Sequence, residues 1–194
     1  DWNNNPTNVT YKIDENDKSQ DFSIEQVKEF GIYNYSTFKR FILPIDKSGT
    51  NVNSLSSQRS PEWDIDTVFL KVEIDGSAAL YSYKKSGLKR YFYSINDSVP
   101  KQLVYKKYRT EYGSLIENNT FQNQLQADVK IENMSAKDIS QLEYTSKELK
   151  NYFIRYNESK GLLYNKGKDE KSKYNIFVKA GVSLTSLSVY NNHN

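Results

Sequence analysis

Tyr81, Tyr83, Tyr91 and Tyr93 are the residues of this 194-residue chain best suited to binding chemistry. A flat ring with a polar hydroxyl suits both a sugar and a peptide, so the four make a candidate aromatic platform; the alternative is an amphipathic core. Trp63, near Pro61, is either a binding anchor or a ring folded onto a sheet. Acid–base chemistry is poorly supplied. Glu111, Glu117 and Asp138 are the carboxylates that glycoside hydrolysis would use, but no spacing brings them together. Asp64 and Asp66 are near enough to share a calcium ion, yet the third carboxylate and the glycine turn of a calcium loop are missing. Cysteine is absent and histidine occurs once, at His193, which removes thiolate nucleophiles, Cys/His zinc sites and His-based triads together. No catalytic residue, metal site or cofactor is expected, and the chain reads as a non-enzyme.

Composition bounds the rest. The length suits one domain, and 14% aromatic residues mark a foldable chain. The net charge of +3 is spread along the whole length, so no basic face points to nucleic acid. Lys84 and Lys106 read as solvated strand positions. No apolar run approaches the 18 or so residues of a transmembrane helix. The chain starts at Asp1 rather than Met, so a mature or trimmed product is expected.

The elements that must position these residues follow from periodicity. Residues 8–13 and 20–22 alternate like two short strands around the turn 14–17. Ser23 with Gln26 has the form of a capping box and Gly31 stands where a C-cap belongs, which predicts a short helix over 24–30. A strand over 37–45 precedes a long polar loop, 46–61. Val68, Leu70, Val72 and Ile74 are expected on one strand face, and Ala79, Tyr81 and Tyr83 on one face of the next. Turns at 75–76, 85–87 and 96–100 complete a four-stranded antiparallel meander whose last strand carries Leu103 to Tyr108, with one face on helices and the other wet. Three helices follow: residues 119–129 with Phe121, Leu125 and Val129 in a stripe, a short one from Ser135 through Leu142, and one opened by the Thr145–Glu148 capping box that runs to about Tyr156.

The chain therefore reads as α+β, an antiparallel meander backed by short helices, over residues 1–162. A charged linker is expected at 163–175. Ile176, Val178, Ala180, Val182 and Leu184 then alternate with smaller or polar residues, as in a strand with lipid outside and water inside; 176–190 is the candidate first strand of an outer-membrane β-barrel. The alternative is one more strand of the soluble sheet.

The motifs Trp2-Asn3-Asn4-Asn5-Pro6, Val27-Lys28-Glu29-Phe30-Gly31-Ile32, Phe69-Leu70-Lys71-Val72, Leu80-Tyr81-Ser82-Tyr83 and Gln102-Leu103-Val104-Tyr105-Lys106 together resemble an envelope protein family of Bacteroidetes, especially flavobacteria. In that family a domain of this kind precedes a porin-like outer-membrane β-barrel. The resemblance implies a location on the periplasmic side of the outer membrane, with other envelope or outer-membrane proteins as partners, and no reaction. Asp66-Thr67-Val68 and Asp97-Ser98-Val99 also fit the short O-glycosylation pattern of such periplasms, which makes Thr67 and Ser98 candidate sites. Two functions are expected: a non-catalytic module for protein–protein interaction or assembly beside the barrel, or a glycan- or peptide-binding module working through its tyrosines.

Overall fold

The computed structural model describes residues 5–11, 18–32, 36–166 and 176–180. Strands β1 (Asn8–Tyr11) and β2 (Gln20–Ser23) pair antiparallel as their alternation predicts. The expected helix over 24–30 does not form. Half of its capping box does, with the Ser23 N–H donating to Gln26 Oε1 at 2.8 Å, but it closes a single turn, and the chain leaves it as strand β3 (Val27–Ile32). A helix of two turns is marginal by itself. Here β4 (Ser36–Asp46) pairs with residues 29–32, and Val27 and Phe30 bury against Phe38 and Phe69, so extended backbone wins.

After a polar loop come β5 (Trp63–Gly76), β6 (Ala78–Lys85), β7 (Leu88–Ile95) and β8 (Lys101–Leu103), the predicted meander. Ser86 and Gly87, with φ of +50° and +80°, are the left-handed pair of a two-residue hairpin, and Asn96 and Asp97, with φ of +49° and +57°, open the longer 96–100 turn; the expected 75–76 turn falls one residue later, at Ser77, with Asp75 and Gly76 inside β5. The fourth strand is shorter than expected. The N–H and C=O of Val104 are taken by Gln124 Oε1 and the Phe121 N–H, so the ladder ends there. The chain departs to a separate hairpin of β9 (Lys106–Arg109) and β10 (Leu115–Asn118).

Helices α1 (Thr120–Asp128), α2 (Ala136–Ser140) and α3 (Ser146–Ser159) occupy the predicted places. Ser135 and Asp138 form a complete capping box, and Thr145 accepts from the Glu148 N–H. Then β11 (Tyr164–Lys166) lies against the end of β5, so the front of the expected 163–175 linker is strand. Strand β12 (Ile176–Ala180) pairs antiparallel with β3. The expected alternation thus makes a strand of this sheet's edge; the remainder of the expected barrel strand, 181–190, lies outside the described residues. The sheet runs β12-β3-β4-β5-β6-β7-β8, with β11 off the end of β5.

Both faces of the central strands are buried, contrary to the expected wet face. Leu80, Tyr91, Tyr93 and Leu103 pack under the helices against Phe121, Leu125, Leu149 and Phe153. On the other side Leu43, Ile45, Val68, Leu70, Val72, Tyr81, Tyr83 and Phe92 form a second core; on the face opposite to that, Val9, Val27, Phe30, Phe38 and Phe69 form a third beneath the β1–β2 hairpin. A bulge explains one misplaced residue. The β5–β6 register shifts between Val72 and Ile74, and the extra residue, Glu73, moves Ile74 off the face of Val68, Leu70 and Val72 and into the core under the helices.

Candidate functional site

The four tyrosines do not form one exposed platform. Their exposures are 1–3%, and the register puts Tyr81 opposite Phe92 and Tyr83 opposite Arg90, so Tyr81 and Tyr83 share one face while Tyr91 and Tyr93 share the other. Tyr93 donates to Asp128 Oδ2 at 2.6 Å; burial first, and that bond second, push its phenol well above the ordinary range. Tyr81 bonds to Ser94 within its core.

Tyr91 differs. Its buried hydroxyl finds no hydrogen-bond partner among the described residues, and the residue lines a pocket of about 280 Å³. A buried polar group without a partner is costly and rare in a native structure, so it needs a reason. The pocket lies between the loop after β4 (Gly49, Thr50, Val52), β7 (Lys89, Arg90, Tyr91), residues 105–107 and Tyr144. Tyr144 accepts from the Tyr91 N–H and donates to Leu103 O, both at 2.9 Å, and so ties the helical layer to the β7–β8 ladder. Burial pushes its phenol far up. Tyr105 stacks on Tyr144 with ring centroids 4.8 Å apart, and Tyr91 meets Tyr144 edge-on at 5.1 Å.

A buried ion pair anchors Arg90, which also lines the pocket. Asp46 and Arg90 are 0% and 4% exposed, and Arg90 Nη2 lies 3.0 Å from Asp46 Oδ2. Arg90 also donates from Nε to Asp46 O and from Nη2 to Ser48 O, while Asp46 Oδ1 accepts from the Ser48 and Glu62 N–H groups at 2.9 Å. The long loop is thereby fixed at both ends, where the sequence shows only a polar stretch. Lys106 is buried too, against its reading as a solvated position, because its ammonium reaches Ser60 O at 2.8 Å and Glu62 Oε1 at 3.2 Å. Lys107 pairs with Glu117, which also accepts from Tyr105 Oη.

The remaining expected sites lie elsewhere. Trp63 opens β5 opposite Asp46 and is 48% exposed; Ile42 and Ile65, on the same sheet face, are 69% and 73% exposed. Thr67 is half-buried within β5, opposite Ile42. Ser98 is exposed at the end of the Asn96–Asp97 turn, its Oγ accepting from the Ile95 N–H. Asp66 binds Lys47 at 2.8 Å, Glu117 serves the β9–β10 hairpin and Asp138 caps α2, so the carboxylates are divided among separate structural tasks. Among the described residues no three His, Cys, Asp or Glu side chains gather as a metal would require.

Of the expected residues the pocket takes only Tyr91. Tyr105, Tyr144, Lys89 and the Asp46–Arg90 pair were missed; the one sequence signal near them was the density of Lys and Tyr at 105–108. Scans of family models, curated proteins and solved structures each find no match to this chain.

Proposed function

We propose that this chain is a non-catalytic binding module whose pocket between β7, the loop after β4 and Tyr144 receives one end of a glycan. The observation that carries this reading is a pocket walled by the rings of Tyr91, Tyr105 and Tyr144, with the exposed Lys89 ammonium over one of them. The sequence reading placed binding on an open tyrosine face; the proposal keeps the chemistry and moves it to the sheet's edge. At about 280 Å³ the pocket is at the small end of ligand sites, which run from roughly 300 to 1,000 Å³, so it suits a terminal unit more than the middle of a chain. The resemblance to flavobacterial envelope proteins supports placing the module in the periplasm beside an outer-membrane barrel.

Thermal-shift screening with pooled oligosaccharides tests the proposal. A rise in Tm that vanishes in Thr50→Trp, which puts a large ring at the exposed mouth, is the expected result. No rise with any pool, or a rise that survives Thr50→Trp, contradicts it.

A second reading, assembly with another envelope protein, is favoured by the uncovered apolar row of Ile42, Trp63 and Ile65 on β4 and β5. Loss of co-purifying envelope proteins in Ile65→Glu would support it; unchanged recovery would not.

A further inference from the structure

Four of the residues lining the pocket, Lys89, Arg90, Lys106 and Lys107, are cationic, and none is a carboxylate. Three of these charges are already matched: Arg90 by Asp46, Lys106 by Glu62 and Lys107 by Glu117. Lys89 is exposed and has no carboxylate partner among the described residues; its ammonium stands 5.1 Å from the centroid of the Tyr91 ring. A cation without a carboxylate partner among the described residues therefore stands over an aromatic ring in a pocket lined by no carboxylate.

From this juxtaposition we infer that the pocket selects an acidic sugar, a pyranose bearing a single carboxylate of the uronate type. The inference rests on the binding reading above and adds the sign and size of the ligand's charge. A monoanion matches the one cation of the lining that has no carboxylate partner among the described residues. A phosphate ester carries about −1.5 to −2 at pH 7 and would leave charge unmatched beside Lys89. The Lys89 ammonium supplies the donor to the carboxylate, and a hydrogen bond between charged groups is among the stronger ones. The rings of Tyr91, Tyr105 and Tyr144 give the apolar surface that the C–H face of a sugar needs, and Thr50 with the lysines serves its hydroxyls.

Calorimetric titration of the whole chain with trigalacturonate, maltotriose and benzoate, each at low and high salt, tests the inference. Trigalacturonate binding at least about tenfold tighter than the other two, and weakening with salt, is the expected result. Tyr91→Phe keeps the ring under Lys89 and removes only a hydroxyl that is closed off and has no partner among the described residues, so it should bind like the parent with Tm unchanged or slightly raised. Lys89→Gln, on an exposed side chain, should weaken it about fivefold. Equal binding of maltotriose overturns the inference but leaves the glycan-binding reading standing. Equal binding of benzoate overturns the sugar assignment. Binding by none of the three overturns both, and a Lys89→Gln variant that folds and binds trigalacturonate like the parent overturns the charge assignment.

Discussion

Glu73 shows how one residue joins the layers. It is the bulged residue of β5, 9% exposed, accepting from Ser82 Oγ at 2.7 Å and paired with Lys150 of α3 at 2.6 Å. Burial pushes its pKa up, but the bonds from Lys150 and Ser82 outweigh it and hold the carboxyl below its ordinary 4.5. A depressed carboxylate adds stability above its unfolded pKa and loses it as pH falls through the folded value. Urea unfolding of the parent should therefore show a loss of stability below about pH 4.5 that is smaller in Glu73→Gln; equal pH profiles would remove Glu73 from the account. Arg90 is the second residue on which the pocket depends. Arg90→Met leaves Asp46 charged and buried without its ion-pair partner, and should cost about 3–5 kcal/mol by chemical unfolding. A cost under about 1 kcal/mol would mean that water replaces the guanidinium.

Asn157 does for α3 what a neighbouring strand would do for β6. Fully buried, it accepts from the Ala78 N–H at 3.1 Å and donates to Ala78 O and Phe153 O, both at 2.9 Å, so the helix is sewn to the start of the strand. Asn157→Leu strips both partners from Ala78 and should cost about 3 kcal/mol, read as a fall in the urea midpoint with unchanged m. Asn5 plays a similar part between β5 and β6, bonding to Phe69 O and to the Lys84 backbone. Such asparagines are invisible to periodicity, which reports only which residues are apolar. Periodicity did find the meander, two of its three turns and all three helices, because each is set by local spacing and capping. It failed where a distant partner decides: the strand that replaced the 24–30 helix was settled by pairing with β4, and the face of Ile74 by one inserted residue.

For the whole molecule, the long-range pairings matter most. Gly76 shows how closely β11 returns to β5: a Cβ built there meets Tyr164 Cβ at 3.0 Å and Leu163 O at 3.1 Å. Gly76→Ala must push back a strand, since backbone is among the atoms it strikes, and should lower stability by about 1–3 kcal/mol. Amide exchange should rise first at residues 164–166; uniform destabilisation would argue against local displacement. The pocket was not legible in the sequence for the same reason the sheet's edge was not. Its walls come from residues 49–52, 87–91, 105–107 and 144, and only the folded register brings Tyr91 beside them. A ¹H–¹⁵N correlation spectrum of the whole chain titrated with trigalacturonate decides whether the pocket binds. Saturable shifts gathered at Gly49, Thr50, Gly87, Lys89 and Tyr105 are expected. Shifts confined to the β4–β5 face around Ile42 and Ile65, or none at all, would contradict binding there.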